Sequence, residues 1–193
     1  MAERLPRPYQ PLPLMAVRRG QHVVRQGESF AGAWVVKSGA LLASAVLDNG
    51  HVLALDVLGP GDLVGEPDGA PAECGVRALR PGRLRKVRLN ESADLSAARA
   101  RRIAALARDL AWLDVSTRIE ERLVDLASRF GRPVPGGTLV PLPLTQEDLA
   151  ALTGTSRETA NRALRSLQRE GRVSCVGRGR YVVSRSLQLV GSR

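Results

Sequence analysis

Residues 92–130 contain neither glycine nor proline. A run of that length without a helix breaker, rich in Ala, Leu and Arg, is predicted to be helix throughout. It divides the chain. Residues 16–91 before it are short apolar runs punctuated by glycine, and residues after it alternate brief helical and strand-like patterns. Within the run, Ile103, Leu106, Leu110 and Leu113 step by 3, 4 and 3, a seam about two heptads long. Such a seam suits a helix packed on its own domain or a helix paired with its twin in a dimer, and spacing leaves both open. Asp114 breaks the run and caps a second helix, "VSTRIEERLVDLASRFG", because a short carboxylate can accept from free amides at a helix start.

The segment before the helix reads as strands. "HVVRQG", "AWVVKSGALLASAVL", "HVLALDVLGPGDLVGE" and "CGVRALRPGRLRKVRL" are rich in Val and Leu. Asp48-Asn49-Gly50 lies between two of them, a hairpin signal because the tight turn requires positive φ. Strands so closely spaced predict an antiparallel sandwich or barrel. Pro6, Pro8, Pro11 and Pro13 make residues 1–15 an extended arm.

The segment after the helix reads as a DNA-binding unit. Gly131, Pro133, Pro135, Gly136 and Gly137 predict a loop. In "LPLTQEDLAALTG", Thr145 is the expected N-cap, with Asp148 closing a capping box. Gly154 ends that helix, and Thr155 with Glu158 marks the start of the next. Two short helices joined by a glycine turn make a helix-turn-helix. "RVSCVGRGRYVV" then reads as two strands around Gly177-Arg178-Gly179, a basic wing. In the second helix, Ala160, Ala163, Leu164 and Leu167 fill one arc. Arg157, Glu158, Asn161, Arg162, Arg165 and Arg169 fill the other. Arginine grips guanine O6 and N7 in a bidentate way, and glutamate accepts from cytosine N4. Arg157, Glu158 and Arg162 lie where such a helix enters the major groove. Arg165, Arg169, Arg178 and Arg180 are placed to neutralise phosphates, with the hydroxyls of Thr145, Thr155, Ser156 and Thr159 beside them.

Charge agrees with this placement. The chain carries net charge +10, which favours nucleic acid as partner. Residues 132–193 hold 10 Arg and 4 acids, net +6, so the positive charge is densest in the C-terminal third. Aromatic residues are 3% of the chain, too few for base-stacking platforms. Cys74 and Cys175 are isolated, and His22 and His51 are scattered, so no disulfide framework or metal site is expected. Without convergent histidines and carboxylates, a cupin-like catalyst is disfavoured and no enzyme is expected. No long apolar run predicts a leader or membrane span, and a cytoplasmic protein is expected.

"LTQEDLAALTGTSRETANRALRSLQREGRVS" resembles the DNA-binding helices of the CRP/FNR family of bacterial transcription regulators. "LAWLDVSTRIEERLVDLA" resembles that family's hinge and first DNA-domain helix, and "GPGDLVGE" the turn of its cyclic-nucleotide-binding domain. The resemblance implies an α+β fold. An antiparallel β-roll of the cyclic-nucleotide-binding jelly-roll type spans 16–91, a dimerisation helix 92–113, and a winged helix-turn-helix 114–193. It implies a homodimer joined through Ile103, Leu106, Leu110 and Leu113. It further implies a palindromic site on double-stranded DNA, with Arg157, Glu158 and Arg162 reading TGTGA-type half-sites. Contact with RNA polymerase through 132–143 or the turn at 48–50 is implied too.

The sensor motifs depart from the family. Members that bind cyclic AMP follow the Gly-Glu turn with Leu and, further on, an Arg-Ser pair that holds the phosphate. Here Gly65-Glu66 precedes Pro67, and Glu73-Cys74 stands near the Arg-Ser position. A carboxylate there repels a phosphate; Arg77 could substitute if the alignment slips. Positions that supply a Thr-Ser pair to adenine are Ile103 and Ala104, neither of which can hydrogen-bond. These losses argue against cyclic AMP and predict a degenerate pocket at Gly65, Glu66, Glu73 and Cys74. No cofactor is expected; an unknown effector in the roll is the alternative.

Overall fold

The computed structural model describes residues 12–30, 32–65, 70–87, 92–177 and 179–185. Glu66 and Arg178, both singled out above, lie outside them, as does most of the proline-rich arm.

Six antiparallel strands form the first layer: β1 (Leu14–Val17), β2 (His22–Val24), β3 (Trp34–Val46), β4 (Val52–Leu58), β5 (Leu63–Val64) and β6 (Gly75–Lys86). The sheet runs β1-β6-β3-β4, with β2 on β6 and β5 on β3. Strand β1 starts at Leu14, inside the segment expected to be arm, because Leu14–Val17 pairs with Gly82–Arg85. The β3–β4 turn falls at 47–51 as the Asp-Asn-Gly signal requires: Gly50 has φ +79, and the Leu47 amide donates to His51 O at 2.8 Å.

In β3, four successive residues, Ala40, Leu41, Leu42 and Ala43, are buried. Successive strand side chains point to opposite faces, so both faces are covered. Leu41 and Ala43 pack inside the roll with Leu58, Ala78 and Leu84. Ala40 and Leu42 join Ala54, Val57 and Leu79 in a different core, shared with the C-terminal half.

Helix α1 spans Ser92–Trp112 and α2 Val115–Phe130. The break is made by Asp114, whose carboxylate accepts from the Ser116 and Thr117 amides at 2.9 and 3.1 Å and from the Thr117 hydroxyl at 2.7 Å. Removing this cap by Asp114→Ala should cost about 1 kcal/mol in a urea titration. The bonds from Thr117, side chain first, hold the Asp114 carboxyl below its usual value of 3.8. A depressed folded-state value contributes stability that is complete above the unfolded-state value and is lost as pH falls through the folded one. The difference between wild type and variant should therefore vanish in strong acid.

The seam on α1 faces inward. Leu106 is 3% exposed within its own chain, and Leu110 packs where α1 meets Gly154 and Leu53. Two of the four residues assigned to a dimer interface are thus used inside the protomer, while Ile103 and Leu113 are half-buried. The solvent face carries Ala97, Ala100, Ala104, Ala107 and Ala111 in steps of 3 and 4, followed by Trp112.

The C-terminal half contains β7 (Arg132–Val134), β8 (Gly137–Val140), α3 (Gln146–Leu152), α4 (Arg157–Arg169), β9 (Val173–Cys175) and β10 (Tyr181–Ser184). Its sheet runs β7-β8-β10-β9. The expected loop at 131–137 is instead a hairpin. Pro133 sits in β7, an edge strand, where its missing N–H breaks no ladder. Ile119, Leu123 and Leu126 of α2, Leu149 of α3 and Leu164 and Leu167 of α4 build one core with the outer face of the roll.

Candidate nucleic-acid interface

Helix α3 begins with a complete capping box. Thr145 accepts from the Asp148 amide at 3.0 Å, and Asp148 Oδ2 accepts from the Thr145 amide at 2.9 Å. Gly154, at φ +57, makes the turn; a Cβ there would stand 2.5 Å from Leu110 Cδ2, so both conformation and space demand glycine. The expected cap of α4 at Thr155 is displaced by one residue. Ser156 accepts from the Thr159 amide at 3.2 Å, while the Thr155 amide is held by Ala150 O at 3.1 Å. Thr155 thus belongs to the turn, which leaves the adjacent hydroxyl to cap.

Ala160, Ala163, Leu164 and Leu167 of α4 are buried, and Arg157, Glu158, Arg162, Arg165 and Arg169 are exposed. At helical pitch the exposed five span an arc of about 140°. Their chemistry differs along it. Arg157 lies 3.2 Å from Glu147, and Gln146 Oε1 accepts from Asn161 at 2.8 Å and from Arg157 at 3.4 Å. Among the described residues, Arg162, Arg165 and Arg180 form no ion pair. The Glu158 carboxyl is held below the usual glutamate range by its own amide and the Ser156 hydroxyl. It is therefore an ionised acceptor, as reading a cytosine amino group requires. Arg169 is steadied by Ser166 at 3.3 Å. A cavity of about 370 Å³ opens between α3, α4 and the wing, bordered by Thr145, Asn161, Arg165 and Tyr181, with Arg19 of the β1–β2 turn on its rim.

Other arginines are locked inside. Arg102 of α1 meets Asp56 at 2.7 Å and Asp62 at 2.5 Å. Arg129 of α2 meets both at 3.2 Å and donates to Val57 O at 2.5 Å. Burial opposes the charge on Arg102, but hydrogen bonds to Asp56 and Asp62 outweigh it and raise its guanidinium above the usual range. Arg122 meets Asp109 at 3.1 Å, and Arg118 donates to Leu113 O and Thr153 O, each at 2.8 Å. Sequence spacing carries no signal for the pairs of Arg102 and Arg129, whose partners Asp56 and Asp62 come from distant elements.

In the sensor region, Gly65 has φ +86 and abuts Phe30. Glu73 is exposed, and Cys74 is buried in the roll core. Arg77 does not take the place of the missing phosphate arginine. It lies opposite Leu42, whose side chain packs in the shared core, and pairs with Asp148 of α3. A different arginine approaches Cys74: Arg99 of α1, whose Nη2 donates to its sulfur at 3.6 Å and whose buried Nε has no hydrogen-bond partner among the described residues. Also among the described residues, no group of three or more His, Cys, Asp or Glu could hold a metal, and no helix is long and apolar enough to cross a membrane.

A glycine-turned helix pair with a wing, set on an antiparallel roll, defines a helix-turn-helix regulator joined to a sensor-type domain. Comparison with known proteins agrees for both halves. Residues 14–98 match the model for a cyclic nucleotide-binding domain, and residues 117–189 that for a Crp-like helix-turn-helix domain. A CRP-like cAMP-activated global transcriptional regulator of Mycobacterium tuberculosis is 30% identical over 179 residues, covering 83% of this chain and 79% of that protein. The regulatory protein CysR of Synechococcus elongatus is 29% identical over 165 residues, covering 77% and 76%. A transcriptional regulator of the CRP/FNR family from Thermus thermophilus, TTHA1359, has the same fold, with TM-score 0.80 at 22% identity over 94% of this chain and 99% of that one. This chain belongs to the CRP/FNR family of transcription regulators.

Proposed function

We propose that this chain is a homodimeric regulator that reads a palindrome of TGTGA-like half-sites and does so without cyclic AMP. The observation that carries the reading is the division among the arginines. Arg102, Arg118, Arg122 and Arg129 are bonded within the fold, whereas Arg162 and Arg165 stand exposed on α4 and, among the described residues, without an ion pair. Arg157, Glu158 and Arg162 read bases; Thr145, Thr155, Ser156, Thr159, Arg165, Arg169, Arg178 and Arg180 hold the phosphates. Glu158 argues against a merely architectural protein, since a carboxylate facing DNA is a cost without a cytosine partner. Pairing of protomers runs along the alanine face of α1 from Ala97 to Ala111, with Ile103 and Trp112 at its sides. The protein acts as a regulator, not an enzyme, and from the cytoplasm. It engages RNA polymerase through 132–143 or the turn at 48–50; reversing charge at Arg132 and Asp48 should change transcription while leaving DNA binding intact.

Independence from cyclic AMP is supported by Glu73-Cys74 in place of the Arg-Ser pair and by Arg77, which is used elsewhere. A second reading, an anionic effector in the roll, is favoured by one observation, the buried Nε of Arg99, which has no hydrogen-bond partner among the described residues. Fluorescence anisotropy on a palindromic TGTGA duplex and on a scrambled one, with and without cyclic AMP, separates the two. Tight selective binding that ignores the nucleotide is expected; binding only in its presence overturns ligand independence. On the same duplex, Arg162→Ala should cost about 1–3 kcal/mol and relax the preference at one guanine, whereas Arg169→Ala should weaken all sequences alike and reduce the salt slope. Equal, sequence-independent losses from both would contradict the assigned roles.

A further inference from the structure

We propose that Arg77 of the roll is a positioning residue for DNA reading. Its ion pair with Asp148 sets the orientation of the reading helix, and so the half-site spacing that the dimer accepts. The proposal rests on the dimeric, palindrome-reading function above.

The pair joins two elements that are far apart in sequence. Arg77 lies in β6, and Asp148 is the third residue of α3. The Asp148 side chain is 7% exposed and that of Arg77 31%. The two carboxylate oxygens have separate uses. Oδ2 accepts from the Thr145 amide and closes the capping box, and Oδ1 receives Arg77. The roll thus holds the first turn of α3 through the residue that caps it. That turn in turn holds α4, because Gln146 accepts from Asn161 and Arg157, and Glu147 pairs with Arg157. A chain of polar contacts therefore runs from β6 through α3 to the base-reading turn.

The bridge and the reading surface do not compete. With the bridge closed, Arg157, Glu158, Arg162, Arg165 and Arg169 are all exposed. DNA can be engaged without opening the Arg77–Asp148 bridge, so the bridge persists in the complex. Its part is geometric. In a two-fold dimer each reading helix must meet its own half-site, and half-site separation is fixed by the protein. A helix-turn-helix clamped to the roll presents one separation; a loosened one samples several.

The test uses the full-length dimer. Arg77→Met keeps the aliphatic stem and removes the charge, and Arg77→Lys keeps the charge. Anisotropy is measured on a single half-site duplex and on palindromes whose half-site separation is stepped by single base pairs. Wild type should peak at one separation. Arg77→Met should lose about tenfold at that peak, a modest coupling between sites, and its spacing curve should flatten. Its half-site affinity should stay within about twofold, as for independent sites, which shows that the domain remains folded. Arg77→Lys should restore the peak. A variant curve equal to wild type in height and shape overturns the proposal alone. So does an equal loss on half-site and palindrome, which would mean that Arg77 supports the fold and not its orientation. Absence of any spacing dependence in wild type overturns the dimeric reading, and the proposal with it.

Discussion

Arg129→Ala should destabilise the chain by about 3–5 kcal/mol, the cost of leaving buried charge without its partner. Arg129 reaches Asp56 and Asp62 at 3.2 Å each, and these carboxylates have side-chain exposures of 4% and 10%. Arg102 alone then faces two buried acids. The loss should be read from the midpoint of urea unfolding at neutral pH. A control separates unpaired charge from lost packing. Adding Asp62→Asn to Arg129→Met should recover part of the loss, because the surplus negative charge goes with it. The same loss in both backgrounds would show that Arg129 acts by filling space. Because the cluster ties α1, α2 and the roll together, the wild-type chain should unfold them in one transition.

Leu42→Ala should cost about 2–5 kcal/mol, the range for truncating a buried leucine, and its effect should cross from one half of the chain to the other. Leu42 is 3% exposed and belongs to the core that also holds Leu149, Leu164 and Val183. Hydrogen exchange resolves the reach of the change. Amides of α3 should lose protection together with those of β3. Loss confined to the roll would mean that the two halves open as separate units.

The reading helix was legible from sequence because its determinants are local. The capping box at Thr145 and Asp148, the turn at Gly154 and the apolar arc from Ala160 to Leu167 lie within a few residues of one another. Local information also has a resolution limit. Thr155 and Ser156 are adjacent hydroxyls, and periodicity fits a cap at either; the turn's own bond to the Thr155 amide decides. Proline misled at 131–137, since Pro133 blocks a central strand but not an edge. On α1, Leu106 is buried and Leu110 packs beside Leu53 and Gly154, Ile103 and Leu113 are half-buried, and the alanines are on the outside. The contact between roll and helix-turn-helix leaves one trace in the sequence. In "GALLASAV" the apolar residues run without alternation, which marks a strand covered on both sides. What covers the second side, from Ile119 of α2 to Leu167 of α4, comes from far later in the chain, beyond any pattern of spacing. The assignments of Glu66 and Arg178 lie outside the described residues.

The stretch Ala40–Ala43, covered on both faces of the strand, has a consequence for how this protein can be taken apart. Severing the chain at the hinge by Asp114 would give two fragments, each with a raw apolar wall: Leu42, Ala54, Val57 and Leu79 on one, Leu149 and its neighbours on the other. Neither wall has a polar alternative to turn outward, and bare walls of this kind promote self-association. The DNA-binding half is thus a poor candidate for transplantation as an independent module. The roll serves it as a permanent chaperoning surface, a duty that keeps the whole domain in place whether or not anything is bound inside it.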